Sequence, residues 1–171
     1  MKQLTIFRIL TFILVPIAAL FGGIGFFTLL LALSNPQLLF AVFLLLSFAI
    51  YVFTSLTFLY KGIDPGKQCK PSLKDWIRVN AFVAGFLGIA FLQVVGAVFF
   101  SNPSDLQKLY DQTLEMQPNM SKMMNFSLYL SMLRGVGYFF LFISIALFIH
   151  IPLNFRLMKK YAHLFGAAKT E

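Results

Sequence analysis

Four long apolar runs, 9–33, 37–60, 81–100 and 133–153, alternate with short polar segments along the chain. Each run provides the roughly 20 helical residues that cross a hydrocarbon core of ~30 Å, and none contains an acidic residue. The pattern predicts an all-α integral membrane protein, a four-helix transmembrane bundle forming one transmembrane domain over 1–171. Ser34-Asn35-Pro36 is too short for anything but an antiparallel hairpin of the first two spans, and Pro36 suits the first turn of the second.

The polar segments predict the remaining elements. A basic loop over 61–78 carries the helix breakers Gly62, Pro65, Gly66 and Pro71, and Trp76 marks the headgroup level at which span three begins. The segment 101–125 holds Leu106, Leu109, Tyr110 and Leu114 at helical spacing. It predicts an amphipathic helix over 104–116, opened by a Ser104/Gln107 capping box and closed by Pro118. Residues 156–171 form a basic tail. Ser-Asn-Pro recurs at 101–103, which raises a duplication of two hairpins. Under that register Gly22 meets Ile89 and Gly25 meets Leu92, a poor match, so the tripeptides read as ordinary helix-end punctuation.

Charge then orients the spans. Fourteen Lys and Arg against six Asp and Glu give a net charge of +8. Lys2, Arg8, Lys61, Lys67, Lys70, Lys74, Arg78, Arg156, Lys159, Lys160 and Lys169 fall on one side, and only Lys108, Lys122 and Arg134 on the other. This positive-inside bias predicts N- and C-termini, the 61–78 loop and the tail in the cytoplasm, with 101–125 outside. The basic excess is thereby a topology signal and an attraction to anionic headgroups, not a sign of nucleic-acid binding. The first apolar run continues to Leu33, past signal-peptide length, and reads as an uncleaved anchor. With no organelle signal, the expected location is a bacterial inner membrane, multi-pass. Cys69, the sole cysteine, reads as a reduced thiol.

Candidate chemistry is sparse. Ala18, Gly22 and Gly23 in span one, and Ala84, Gly85 and Gly88 in span three, have the small-xxx-small spacing of close helix packing. Ser47, Tyr51, Thr54 and Ser55 share a face of span two, and Ser131, Arg134 and Tyr138 share one of span four. Counted inward from the outer ends, Gln93 and Arg134 reach similar depth. With Tyr138 and Ser131 they define a candidate intramembrane polar cluster able to accept an anion. Counted instead from the basic end, Arg134 lies at the outer interface with its guanidinium in water. His150 and Asn154 lie one turn apart around Pro152, but two-histidine haem ligation lacks a second intramembrane histidine. Met116, Met120, Met123 and Met124 lack a neighbouring Cys or His for copper and read as apolar filler. No HExxH, paired carboxylates or nucleophile–base set is present, so no catalytic residue, metal or cofactor is expected. The expected function is a non-enzymatic accessory or scaffold component of a membrane, contacting anionic lipid and either a second copy or another membrane protein. The alternative is a small oligomeric transporter or channel with an anion-accepting site around Gln93, Arg134 and Tyr138.

Overall fold

A computed structural model describes residues 2–116 and 124–166. The expectations attached to Pro118, Met120, Lys122, Met123 and Lys169 lie outside the described residues. All regular structure among the described residues is helical. Helix α1 is Lys2–Ala32, α2 is Leu39–Thr57, α3 is Pro71–Phe100, α4 is Pro103–Met116 and α5 is Phe126–Lys160. A 3₁₀ turn, Pro36–Leu38, leads into α2, and a π-helical turn, Phe58–Ile63, extends it. Four helical stretches are long and apolar enough to cross a membrane: Lys2–Ala32, Pro36–Ile63, Pro71–Phe100 and Phe126–Lys160.

These helices outrun the apolar runs at their polar ends. Helix α1 starts at Lys2 rather than 9, and α5 covers 126–160 rather than 133–153. Because α3 begins at Pro71 and the π turn ends at Ile63, the basic loop shrinks from 61–78 to 64–70. The physical reason is that backbone hydrogen bonds do not need apolar side chains. Pro71 loses no bond at a helix start. Asn125 accepts a 2.8 Å hydrogen bond from the Leu128 amide and so caps α5 seven residues before its apolar run.

The chain forms two compact units, Met1–Gly88 with Ala146–Glu171, and Ile89–Ile145; α3 and α5 supply residues to both. In the first unit α1 lies against α2 at two glycines. A Cβ on Gly22 would stand 3.1 Å from the Ala49 Cβ, and one on Gly25 would stand 3.2 Å from the Leu45 Cβ. Ala18 and Ala84 are fully buried, and a Cβ on Gly88 would stand 3.4 Å from the Phe148 ring. A Cβ on Gly85 would meet only Ile151, at 4.0 Å, and one on Gly23 would meet nothing within 4 Å.

At the basic end of this unit the chain folds back on itself. The π turn is closed by Asp64 N–H donating to Leu59 O at 3.0 Å and Lys67 N–H donating to Gly62 O at 3.2 Å. Gly66 takes a positive φ of 63°, which glycine adopts at no steric cost. Cys69 N–H donates to Leu164 O at 2.7 Å, and Phe165 packs on Phe58 with ring centroids 4.9 Å apart. The tail is thus helical to Lys160 and then docks a 3₁₀ turn, Ala162–Phe165, against the loop.

The second unit contains α4. Asn102 O accepts from the Asp105 and Leu106 amides at 3.0 and 3.2 Å. The Gln107 side chain donates to Asp111 Oδ1 at 3.0 Å instead of closing a capping box with Ser104. Leu106 and Tyr110 are buried, and the Tyr110 hydroxyl donates to Met124 O at 2.7 Å.

Candidate functional site

The polar interior of the first unit is concentrated where α1, α2 and α5 meet. Thr11 comes from α1, Tyr51 and Ser55 from α2, and His150 and Asn154 from α5. On α2 and on α5 the two residues are four apart, so one face of each helix presents both. All five side chains are between 0 and 1% exposed, so only the chain itself touches them. The imidazole of His150 also stacks on Phe7, with ring centroids 4.7 Å apart and 18° between planes.

Counting protons fixes the direction of every hydrogen bond. Thr11 Oγ1 lies 2.7 Å from Phe7 O, and a carbonyl can only accept, so the one hydroxyl proton goes there. The Thr11 oxygen, 2.9 Å from His150 Nε2, must then accept the Nε2 proton. A neutral imidazole with its proton on Nε2 carries a lone pair on Nδ1, which accepts from the Tyr51 hydroxyl at 2.7 Å. Asn154 Nδ2 donates to Ser55 Oγ at 2.6 Å and, more weakly, to Tyr51 Oη at 3.4 Å. Ser55 passes its own proton to Tyr51 O at 2.7 Å. The chain runs one way, from the Asn154 amide through Tyr51, His150 and Thr11 to a backbone carbonyl. Asn154 Oδ1 is wholly shielded from solvent and has no hydrogen-bond partner among the described residues.

This arrangement is a clasp between three helices. Each buried hydrogen bond contributes about 0.5–1.5 kcal/mol net, and stranding a buried partner costs about 1–3 kcal/mol. No pair of carboxylates and no hydroxyl or thiol nucleophile beside a base that opens onto a cavity is found among these five groups.

The four residues expected to cluster, Gln93, Arg134, Tyr138 and Ser131, all lie in the second unit and are all exposed. No hydrogen bond or ring contact joins any two of them among the described residues; Tyr138 packs instead on Phe99, with centroids 4.9 Å apart. Sequence reasoning picked out the Tyr51/Ser55 and His150/Asn154 pairs separately but did not join them, and it passed over Thr11. The usable signal was position. Thr11 lies three residues after Arg8, Ser55 six before Lys61 and Asn154 two before Arg156, so all three stand near the same basic end.

Cys69 is also buried at this end, 8% exposed, and burial pushes its thiol pKa up. Its sulfur occupies the space that a side chain on Gly62 would need, since a Cβ there would lie 2.7 Å from Sγ. Comparison with protein-family models, with curated proteins and with solved structures finds no match to this chain.

Proposed function

We propose that this chain is a multi-pass membrane protein with both termini cytoplasmic, acting as a non-enzymatic scaffold or accessory subunit in a membrane. The observation that carries the reading is the closed hydrogen-bond chain around His150. The most chemically capable side chains of the interior are occupied in holding α1, α2 and α5 together, at 0–1% exposure. The four long helices expose large apolar groups such as Phe27, Phe40, Phe82 and Phe142, which are 68, 71, 71 and 50% exposed. A surface of that kind calls for lipid or for another apolar helix. The test is reconstitution. A scaffold predicts that Tyr51→Phe and Thr11→Val lower thermal stability in detergent and weaken co-purification of any bound membrane partner in proportion. An enzymatic or transport role would be indicated if either change abolished a turnover or flux while leaving stability intact.

The second reading, a small oligomeric transporter or channel, draws on the exposed Gln93, Ser131, Arg134 and Tyr138. Polar side chains on otherwise apolar helices are costly against hydrocarbon and are commonly covered by a neighbouring subunit. Loss of anion uptake by proteoliposomes on Arg134→Ala would favour it.

A further inference from the structure

Two grooves in the first unit adjoin along α2 and the start of α3, with Ser72 and Trp76 in both linings. The inner groove, ≈ 550 Å³, is lined by the apolar Phe43, Leu46, Ile50 and Val79. The outer one, ≈ 530 Å³, is lined by Lys61 and Lys70 with Thr54, Thr57, Gln68 and Ser72. Trp76, 55% exposed, stands at the junction. Neither lysine has a carboxylate partner within 4.0 Å among the described residues, whose ion pairs are Arg8–Asp64 and Lys108–Asp105. The first turn of α3 also borders the outer groove at Ser72 and Leu73, where the Leu73 amide donates to Lys70 O at 3.0 Å.

We propose that these adjoining grooves are a binding site for one anionic phospholipid, its phosphate between Lys61, Lys70 and the start of α3 and one acyl chain along Phe43, Leu46, Ile50 and Val79. The proposal rests on the membrane reading above and gives its basic surface a specific ligand. The order of groups is that of a lipid: apolar groove, hydroxyl and indole belt, then cations. The length also agrees. From Phe43 to Lys61 is about 27 Å at ~1.5 Å per residue, enough to span one leaflet with its headgroup, which is about 20–22 Å. Ser47 adds a local sign. It is 5% exposed and lines the inner groove, yet its hydroxyl makes no hydrogen bond among the described residues. Thr54, Ser55 and Thr57 on the same helix all donate to the carbonyl one turn back. Asp75 lines the inner groove and not the outer one that holds the two lysines.

A second basic cleft at this end, formed by Lys74, Arg78 and Lys159, has three cations but lacks the long apolar groove, and it serves as the control for general electrostatic attraction. The experiment is native mass spectrometry of the full chain, extracted in detergent and equilibrated with equal amounts of phosphatidylglycerol and phosphatidylcholine. The expected result is one retained phosphatidylglycerol per chain. The preference should fall about 25-fold in Lys61→Gln/Lys70→Gln, at roughly fivefold per cation. It should persist in Lys74→Gln/Arg78→Gln/Lys159→Gln. Val79→Trp, which fills the groove and leaves every charge, should lose retention of the lipid. An unchanged preference in the Lys61/Lys70 variant would overturn the site, as would an equal loss in the three-cation control or equal binding of free glycerol phosphate. Failure of the membrane reading shows separately, as a chain that stays in solution without detergent.

Discussion

The chemistry of this protein is decided at single atoms around His150. A neutral imidazole has one proton, and Thr11 and Tyr51 divide its two nitrogens between acceptor and donor at 2.9 and 2.7 Å. Thr11→Val strands the Nε2 proton and Tyr51→Phe strands the Nδ1 lone pair. Each should cost about 1–3 kcal/mol, read as a fall in thermal midpoint in detergent. Thr28→Val makes the same chemical change where the hydroxyl only bonds back to Ile24 O, and it should stay within about 0.5 kcal/mol. Because both core variants act through one ring, their double mutant should be non-additive by about 0.5–3 kcal/mol, and simple additivity would argue against a connected chain. Little of this was legible in the sequence. Periodicity places Tyr51 with Ser55, and His150 with Asn154, on shared faces, but it carries no information on which faces meet. Thr11 is silent because a threonine bonded to its own helix looks like any other residue in an apolar run. Equal depth suggested pairing Gln93 with Arg134, yet depth along a helix says nothing of rotation about it, and both side chains point outward.

Among the elements, close approach rather than composition separates equivalent-looking glycines. Gly22 and Gly23 are adjacent in the same small-residue motif, but only Gly22 meets a neighbour, Ala49 at 3.1 Å. Gly23→Ala should therefore stabilise α1 by up to about 1 kcal/mol through helix propensity. Gly22→Ala should forfeit that gain as α1 and α2 are pushed apart. Gly62→Ala should be the most damaging of the three, at about 1–3 kcal/mol, because the added methyl would collide with the thiol of Cys69, whose backbone N–H is tied to Leu164 O. Comparing the three thermal midpoints checks the order. The same buried thiol predicts slow modification of Cys69 at neutral pH and fast modification once the chain unfolds. Its folded pKa is raised, so the fold favours the protonated thiol. That contribution is present below the unfolded pKa of ~8.5 and is lost as pH rises from there toward the folded value, so stability should decline on the alkaline side. Hydropathy located the four long helices but stopped at the first polar residue. The helices run on to Lys2, Pro71 and Lys160 because backbone hydrogen bonds do not need apolar side chains.

For the whole molecule, we propose that apolar helix surfaces face lipid and that the basic end lies in the cytoplasm. Only 28–39% of each apolar helix window is buried within the chain, which leaves most of its hydrophobic surface for something other than water. The proposed orientation comes from the alternation of basic and neutral segments, since orientation depends on which loops hold Lys and Arg and not on how the helices pack. The most direct test places single cysteines at Lys67, Lys108 and Lys159 in a Cys69→Ser background and treats intact cells with a membrane-impermeant thiol reagent. The account predicts labelling at 108 from outside, and labelling at 67 and 159 only after the membrane is opened. Labelling of 67 or 159 in intact cells, or protection of 108, would contradict it.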